Sequence, residues 1–451
     1  MRQRSILMAV LGCAALAAVA GLAAPAAGTA ANPDFNPSRE HHTPDGFRNP
    51  DGSQIDKPFS EFLRWRFEQA REGLPKAPAA DFVERISAPP DAVRMVRALF
   101  ASSGEAAVRT TPAALEPVAL ARATPAAMEP AAPARATPAA LEPVAPAELA
   151  ASLTWIGHAS MALRQEGVAM LIDPVFSDRV SPVSFAGPRR KVALTVALGD
   201  FDSVDTVLIS HNHYDHLDEP TIRALLGRSP GQPLFIVPLG VDRWLRERGA
   251  TRVQALDWWD SVRVGAVQVH LVPAQHWSTR TPWDRNQTLW GGFVVESASF
   301  RFYYSGDTAY SRPLFERIRA RFGGFDLAAI PVGAYAPRWF MSAQHTDPAE
   351  AVQAMIDVNA RAGLGVHWGS FELADESLDA PLQEVPRALE AAGQPADRLA
   401  LFRMGETRHY RRAPAESTAN DRRAPDQSTD SDRRAQVELL STDRRLPAKP
   451  Q

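Results

Sequence analysis

Residues 211–216 read His-Asn-His-Tyr-Asp-His, and this hexapeptide constrains the fold more than any other part of the chain. It contains three of the chain's 11 histidines and one aspartate, and it directly follows a short β-rich run at 206–210. A helix cannot direct four such side chains to one place, whereas a tight loop after a strand can. We therefore predict a sheet protein with a metal site at a strand end. The alternative is a polar loop that contains histidines by chance.

Other histidines and aspartates also follow apolar runs. We predict strands at 234–237, 267–272, 300–304 and 327–332, a weaker one at 365–366, and helices at 219–227, 313–322 and 348–360. His276, Asp307 and His367 each follow one of these strands. Active sites of sheet proteins lie at such positions, because the loops converge there while the strands hold them rigid. Taken alone, His276 or His367 fits a structural role equally well, but together with the hexapeptide they predict one ligand set.

The amino-acid composition narrows the choice of metal. The 451-residue chain has one cysteine, Cys13, which excludes an intrachain disulfide, a zinc finger and an iron–sulfur cluster. Imidazole and carboxylate ligands without thiolate favour Zn²⁺ or a similar ion. The formal net charge of −3 argues against a strongly basic protein, so we expect no nucleic-acid partner.

The spacing of these residues suits two metal ions. Two histidines that lie two residues apart share one direction and can chelate one ion. Asp307 is the natural bridge, because a carboxylate can bind two ions. The second group is assigned by elimination. One of its three members can instead lie next to the metal without binding it. The expected groups are His211, His213 and His276 for one ion, and Asp215, His216 and His367 for the other.

Both ends of the chain and one internal segment are expected to lie outside the folded domain. Residues 1–31 combine Arg2 and Arg4 with an uncharged apolar run and small residues, which is typical of a cleaved signal for export to the periplasm or the medium. An uncleaved membrane anchor is the alternative. Residues 101–150 repeat a 13-residue unit rich in alanine and proline, which predicts an extended linker. Residues 413–451 lack aromatic side chains and predict a disordered tail, or an interaction tail for an anionic surface.

The remaining sequence divides into a hydrolase-sized block at 151–412 and an N-terminal extension at 32–100 that we expect to pack on it. A helix through 59–71 would carry aromatic side chains between arginines, a pattern that indicates peripheral membrane contact. The alternative is that this helix caps the core of the domain. The sequence assigns no oligomeric state.

A series of longer motifs resembles the metallo-β-lactamase superfamily and, within it, the N-acylphosphatidylethanolamine-hydrolysing phospholipase D family. The resemblance covers nearly all of 152–375 and returns weakly at 45–49 and 62–65. It implies an α/β fold, a four-layer αβ/βα sandwich with a di-zinc site at the sheet edge. The motifs that carry it are 155–159, 173–178, 186–190, 273–277, 284–286 with 289–292, 305–308, 330–335 and 367–371.

The same resemblance implies roles for individual residues. It assigns the two ligand groups above to two zinc ions, with Asp307 bridging them. The family's Gln-His pair near the substrate phosphate falls on Gln344 and His345. This chain departs from the family in its repeat linker and its charged tail, which leaves regulation and localisation open.

The expected chemistry is hydrolysis at phosphorus. Two zinc ions lower the pKa of a shared water toward about 7, and the resulting bridging hydroxide would attack in line. An N-acylated phosphatidylethanolamine would then give phosphatidic acid and an N-acylethanolamine. Asp215 would orient the hydroxide. His345 would donate a hydrogen bond to the phosphate or the leaving oxygen, unless it is a surface histidine.

Three further residues are expected to support the site, each with an alternative. Asp173 ends a strand and would orient the ligand loop, or else it caps a turn. His158 would lie beside the metal ligands or have no part in the site. Tyr214 would line the substrate entrance or contribute only packing.

Two other functions stay open at this point. The first is a di-zinc hydrolase of another ester, such as a lactone or a small phosphodiester. The second is a metal-binding or envelope-interaction protein without catalysis. A complete ligand set with a bridging position argues against the second function.

Overall fold

The computed structural model describes residues 31–101, 149–228 and 231–411. The expected export signal, repeat linker and charged tail therefore lie outside the described residues, apart from positions 31, 101, 149 and 150. Strand pairing already includes Leu149, two residues before the expected start of the hydrolase block. None of the described helices is long and apolar enough to cross a bilayer.

The N-terminal extension contains two short strands and three helices. These are β1 (His42–Thr43), β2 (Gly46–Phe47), α1 (Phe59–Glu72), α2 (Phe82–Ile86) and α3 (Ala92–Leu99). Phe47 and Phe82 enter the main hydrophobic core, and Phe100, just after α3, packs in a second cluster. The extension therefore lies against the sheets in the described residues.

The first sheet has seven strands in the spatial order β16-β3-β4-β5-β6-β7-β8. Its members from β5 to β8 are parallel, and helices connect β6 to β7 and β7 to β8. The strands are β3 (Leu149–Gly157), β4 (Ser160–Gln165), β5 (Val168–Ile172), β6 (Thr206–Leu208), β7 (Leu234–Pro238), β8 (Val253–Leu256) and β16 (Thr407–Arg411), with α4 (Glu219–Leu226) and α5 (Val241–Glu247) as connections.

The second sheet repeats this plan, in the order β15-β14-β13-β12-β11-β10-β9. Its members from β12 to β15 are parallel. The strands are β9 (Ser261–Val264), β10 (Val267–Val272), β11 (Gly292–Glu296), β12 (Arg301–Tyr304), β13 (Leu327–Pro331), β14 (Gly363–Val366) and β15 (Leu399–Ala400). The helices are α6 (Arg312–Phe322), α7 (Arg338–Met341), α8 (Pro348–Asp357) and α9 (Pro381–Ala391).

Side chains that point alternately to the two faces of each strand produce the layers. In β5, Val168, Met170 and Ile172 belong to the cluster that contains side chains of both sheets, whereas Ala169 and Leu171 belong to the cluster shared with α4 and α5. Successive residues of a strand point to opposite faces, so each strand with both faces covered reads as a continuous apolar run. The result is helices, sheet, sheet and helices, which confirms the predicted four-layer αβ/βα sandwich.

Local predictions agree with most element bounds. Strand β10 has the predicted bounds, and α4, α6 and α8 begin within one residue of prediction. Helix α8 ends at Asp357 and not at 360, because Asn359 adopts a positive φ of 58° and cannot continue a right-handed helix.

Candidate metal centre

The predicted ligands all lie at one edge of the two sheets. The hexapeptide follows β6, and His276, Asp307 and His367 follow β10, β12 and β14. Parallel strands place their carboxyl ends at the same edge, so residues far apart in sequence meet there. His158 joins them from the turn between β3 and β4, where it adopts a positive φ of 55°.

The carboxylate of Asp307 lies at the centre of the cluster. Its Oδ2 atom is 3.1 Å from Nε2 of His216 and 3.1 Å from Nε2 of His367. The same oxygen is 3.9 Å from Nε2 of His211 and 3.8 Å from Nε2 of His276. One aspartate therefore faces both of the ligand groups predicted from the sequence.

The first predicted group comes together as three imidazoles. Nε2 of His211 lies 2.8 Å from Nδ1 of His213, which lies 3.3 Å from Nε2 of His276. The potential ligand atoms of these three residues lie within 4.8 Å of one another. Three nitrogens at this separation suit one tetrahedral ion with a fourth position left for another ligand.

The second predicted group gathers around Asp215. Its Oδ2 atom lies 3.2 Å from Nε2 of His367 and 3.6 Å from Nε2 of His216. His158, which was expected beside the ligands, contacts the same oxygen through Nε2 at 3.0 Å. His158 therefore takes part in the site through the Asp215 carboxylate.

Burial and mutual repulsion set the protonation of the cluster. Burial, followed by neighbouring imidazoles, lowers the pKa of His213 to about 3, and burial lowers that of His276 to about 4. Burial opposes protonation of His216, but the carboxylates of Asp307, Asp215 and Asp173 together outweigh it and raise the pKa of His216 well above its usual value. Neutral imidazoles and ionised carboxylates are the forms that bind metals. The carboxylates thus draw positive charge, a proton or a metal ion, into the cluster.

Two buried atoms at the centre test whether a metal fits. Nε2 of His216 and Oδ1 of Asp307 have no hydrogen-bond partner in the part of the chain that the structure describes. Buried polar atoms are nearly always paired, because an unpaired one costs about 1–3 kcal/mol. A divalent cation would satisfy both an imidazole nitrogen and a carboxylate oxygen, so these residues fit the metal that the sequence predicts.

Asp173 connects the first sheet to the hexapeptide. Its buried carboxylate accepts hydrogen bonds from the backbone N–H of Ser210 at 2.7 Å, from the Ser210 hydroxyl at 2.6 Å and from the Tyr304 hydroxyl at 2.7 Å. It also contacts Nδ1 of His216 at 2.7 Å. Asp173 therefore holds both the start of the ligand loop and one ligand ring, which is more than a turn cap does.

Gln344 and His345 lie beside the ligands. His345 is only 8% exposed, and its Nδ1 atom is 4.0 Å from Oδ2 of Asp307, so it is not a surface histidine. The backbone carbonyl of Gln344 contacts Nδ1 of His276 at 2.9 Å. The Gln344 side chain has a buried Oε1 atom without a hydrogen-bond partner among the described residues.

Tyr214 is held by the loop after β10. Its hydroxyl donates to the carbonyl of Arg280 at 2.9 Å, and the Arg280 guanidinium lies 4.0 Å from its ring centre. Arg280 also donates to the carbonyl of Asn212, inside the hexapeptide, at 2.9 Å and to that of Leu217, directly after it, at 2.7 Å. The structure gives Tyr214 a packing role, and a role at the substrate entrance stays a prediction.

Several supporting residues were not found from the sequence. Arg280, Tyr304 and Ser210 contact the ligands or their loop, but no local pattern distinguishes them from ordinary loop and strand residues. The one available signal is that Tyr304 directly precedes the motif Ser305-Gly-Asp307.

Two packed mixed sheets with a histidine- and aspartate-rich centre at their edge define a class of metallo-hydrolase-type sandwich folds. A match to a family model agrees with this class. Residues 169–368 match the family model described as a Beta-lactamase superfamily domain. The isothiocyanate hydrolase from Delia radicum gut bacteria has 21% sequence identity, covers 58% of this chain and 100% of its own, and superposes with a TM-score of 0.48.

Two curated relatives are more similar in sequence. The N-acyl-phosphatidylethanolamine-hydrolyzing phospholipase D 1 of Caenorhabditis elegans is 40% identical over 229 residues, which is 49% of this chain and 64% of that protein. The mitochondrial N-acyl-phosphatidylethanolamine-hydrolyzing phospholipase D of Saccharomyces cerevisiae is 35% identical over 246 residues, which is 53% of this chain and 52% of that protein. The chain thus spans less than two thirds of the length of these relatives. The chain belongs to the metallo-β-lactamase superfamily and, within it, to the N-acylphosphatidylethanolamine-hydrolysing phospholipase D-like family.

Proposed function

We propose that the protein is a zinc-dependent phosphodiesterase of phospholipase D type. Its substrates are N-acylphosphatidylethanolamine-like phospholipids, and its products are phosphatidic acid and an N-acylethanolamine. The observation that carries the proposal is the position of the Asp307 carboxylate, which faces both groups of potential ligands within 4 Å. The two relatives named above supply the substrate class.

The proposed ligands divide into two groups that share Asp307. His211, His213 and His276 hold one ion, and Asp215, His216 and His367 hold the other. Zinc at these positions supplies Lewis acidity and allows water to be activated near neutral pH. Asp173 fixes the His216 ring through Nδ1, so that Nε2 faces the centre.

Side chains of the protein orient the attacking water and assist the leaving group. Oδ2 of Asp215 accepts a hydrogen bond from Nε2 of His158 and is placed to orient a water toward phosphorus. The activated water gives one proton to the solvent, its oxygen forms one new P–O bond, and the P–O bond to the ethanolamine oxygen breaks. His345 remains neutral, since burial holds its pKa well below the usual value. A neutral imidazole can donate a hydrogen bond to a phosphate oxygen or protonate the departing alkoxide.

Lipid access is proposed to involve α1 and its neighbour α7. Trp65 anchors α1, because it stacks on Phe340 at 4.9 Å and its indole N–H donates to Asp375 at 2.9 Å. On the outer side, Phe67 is 63% exposed and Leu63 is 42% exposed. Trp65 thus packs α1 on the domain, and the exposed Leu63 and Phe67 support the proposal of peripheral membrane contact.

An exposed aromatic residue of α7 lies next to α1. Trp339 in α7 is 43% exposed and lies under the Arg64 guanidinium at 4.5 Å. Exposed apolar side chains with nearby arginines are typical of helices that lie on an anionic lipid surface. Because Trp339 lines a cavity together with Gln275, the residue before His276, this surface adjoins the candidate centre. Export by residues 1–31, or anchoring by them, is proposed from the sequence alone.

The proposal is tested with zinc-loaded, full-length protein and detergent-dispersed N-acylphosphatidylethanolamine, with products identified by mass spectrometry. We expect release of phosphatidic acid and N-acylethanolamine that stops when a chelator is added. The matched variants are Asp307→Asn at the centre and Asp178→Asn on the surface, where Asp178 pairs with Arg189. If the protein binds two zinc ions and leaves the lipid intact, but hydrolyses a lactone or a soluble phosphodiester, then its substrate is another ester.

A further inference from the structure

The N-terminal segment 32–57, called the strap below, contacts the candidate metal centre directly. The backbone N–H of His276 donates a hydrogen bond to Oδ1 of Asn49 at 2.9 Å. Asn49 is only 1% exposed, although it lies 227 positions away in sequence. Because a backbone N–H can only donate, the carbonyl oxygen of the Asn49 side chain must face it.

This hydrogen bond lies beyond the end of the sheet. Strand β10 ends at Val272, so the ladder that holds the strand no longer holds His276. A buried N–H without an acceptor is costly, and Asn49 supplies the acceptor. On the other side, the Gln344 carbonyl contacts Nδ1 of the His276 ring. Asn49 therefore places the backbone of His276, while Gln344 sets the rotation of its ring.

The turn that contains Asn49 also holds Gln275, the residue before His276. Nε2 of Gln275 donates to Oδ2 of Asp51 at 2.8 Å and to Oγ of Ser53 at 3.2 Å. The turn is closed by two backbone hydrogen bonds, from Asn49 N–H to the Ser53 carbonyl and from Gly52 N–H to the Asn49 carbonyl. Consecutive residues of the ligand loop are thus attached to one rigid turn.

The strap itself is fixed to the core at two points before this turn. His41 and His42 contact the two oxygens of the buried Asp257 carboxylate at 2.6 and 3.1 Å. Gly46 lies so close to the carbonyl oxygen of Asn286 that an added Cβ would come within 2.2 Å of it. These anchors leave Asn49 little freedom to move away from His276.

We propose that Asn49 is a positioning residue for the metal ligand His276, so that the strap forms part of the metal centre. This inference rests on the metal role assigned to His276 under the proposed function. Supporting groups outside the ligands commonly change metal affinity by about 10–100-fold. The expected effect of removing the Asn49 oxygen is therefore a loss of affinity at the ion that His276 binds.

The test compares zinc affinity and the absorption spectrum of the cobalt-substituted protein, and it needs no lipid substrate. The variants are Asn49→Ala, which removes the acceptor, and Asn49→Asp, which retains an acceptor oxygen in the same place. The control is Asn36→Ala, in the same strap, because the Asn36 side chain bonds, among the described residues, within its own exposed turn at Ser38. If Asn49→Ala does not fold, Asn49→Gln displaces the oxygen by one methylene and serves the same comparison.

We expect Asn49→Ala to bind one of two zinc ions about 10–100-fold more weakly and to show an altered cobalt spectrum. Asn36→Ala is expected to match the wild type in both measurements. Asn49→Asp keeps the acceptor and adds a negative charge, so it is expected not to weaken zinc binding. An unchanged affinity and spectrum in Asn49→Ala overturn the inference, and so does an equal loss in Asn49→Asp. A wild-type protein that binds no metal overturns the proposed function as well, so the two failures are distinguishable.

Discussion

The carboxylate of Asp173 contacts Nδ1 of His216 at 2.7 Å, and neither side chain is exposed to solvent. The contact joins the end of β5 to the last residue of the hexapeptide. It leaves Nε2 of His216 as the free ring nitrogen, and that atom faces Asp307 at 3.1 Å. The orientation of a proposed metal ligand is therefore set by a residue that does not reach the metal.

The first prediction concerns this contact. Asp173→Asn should lower turnover about 10–100-fold, because the His216 ring loses the carboxylate that fixes it. Tyr304→Phe removes one hydrogen bond to the same carboxylate but leaves the contact with His216, so it should cost about 1.5–3 kcal/mol of unfolding free energy and change turnover less. Turnover and urea unfolding are measured for both. Equal activity losses in the two variants would contradict the assignment.

The second prediction concerns the shared carboxylate. Asp307→Asn should reduce bound zinc below two ions per chain and lower turnover at least about a hundredfold, since both ligand groups lose a common oxygen. Elemental analysis of the purified protein gives the metal content. The exposed Asp178→Asn variant should retain both ions and full turnover. Two tightly bound ions in Asp307→Asn would show that this carboxylate is not a bridge.

The third prediction separates a proton donor from a ligand. His345→Ala should lower turnover about 10²–10⁴-fold and leave the zinc content unchanged, because we place His345 beside the metal ligands. The neighbouring exposed Ser342→Ala variant is the control. Loss of one zinc ion in His345→Ala would instead make His345 a ligand, a role that its 4.0 Å separation from Asp307 permits.

The fourth prediction concerns the exposed face of α1. The double variant Leu63→Ser with Phe67→Ser should bind anionic lipid vesicles about tenfold more weakly, since two apolar side chains no longer enter the interface. Sedimentation with vesicles measures the binding. Val83→Ser removes a similarly exposed apolar residue from α2 and should have no effect. If both variants bind vesicles like the wild type, α1 is not a lipid-contacting surface.

The fifth prediction uses pH and Lys57, whose ammonium group is buried without a hydrogen-bond partner among the described residues. Burial, with a smaller contribution from Arg285 and against the opposing effect of Glu61, lowers the pKa of Lys57 to about 8. The folded state therefore holds this proton less tightly than the unfolded chain. Wild-type stability should thus rise as the pH increases from about 8 toward the unfolded pKa.

Replacing Lys57 with methionine tests the direction of this pH dependence of stability. Lys57→Met should increase the unfolding free energy at pH 7 by about 1 kcal/mol, a value reduced for the partial exposure of the side chain. The gain should shrink at pH 10. Urea unfolding at the two pH values measures both numbers. A variant that is less stable than the wild type at pH 7 would show that the contact of the ammonium with the Phe340 ring outweighs its burial.

Features that depend on short stretches of sequence could be predicted. The hexapeptide, β10 and the residues that follow β12 and β14 are each encoded within about six positions, because apolar runs and the polar residues at their ends are local patterns. The superfamily followed from these local motifs in their order. The four-layer sandwich followed from the superfamily.

Features that depend on distant pairs could not be predicted. Asn49 meets His276 across 227 positions, and Trp65 meets Asp375 across 310. No period or motif around either residue reveals its partner, since such pairs form only when the sheets have assembled. The direct contact of His158 with Asp215 was missed for the same reason, because it depends on the turn between β3 and β4.

The most direct test of the central claim is hydrolysis of N-acylphosphatidylethanolamine by zinc-loaded protein in oxygen-18-labelled water. Attack at phosphorus places the water oxygen on the phosphate, so we predict label in phosphatidic acid and none in the N-acylethanolamine. Asp307→Asn should give no labelled product. Label in a released fatty acid, or in the N-acylethanolamine, would contradict the account, because a different bond would then have been broken.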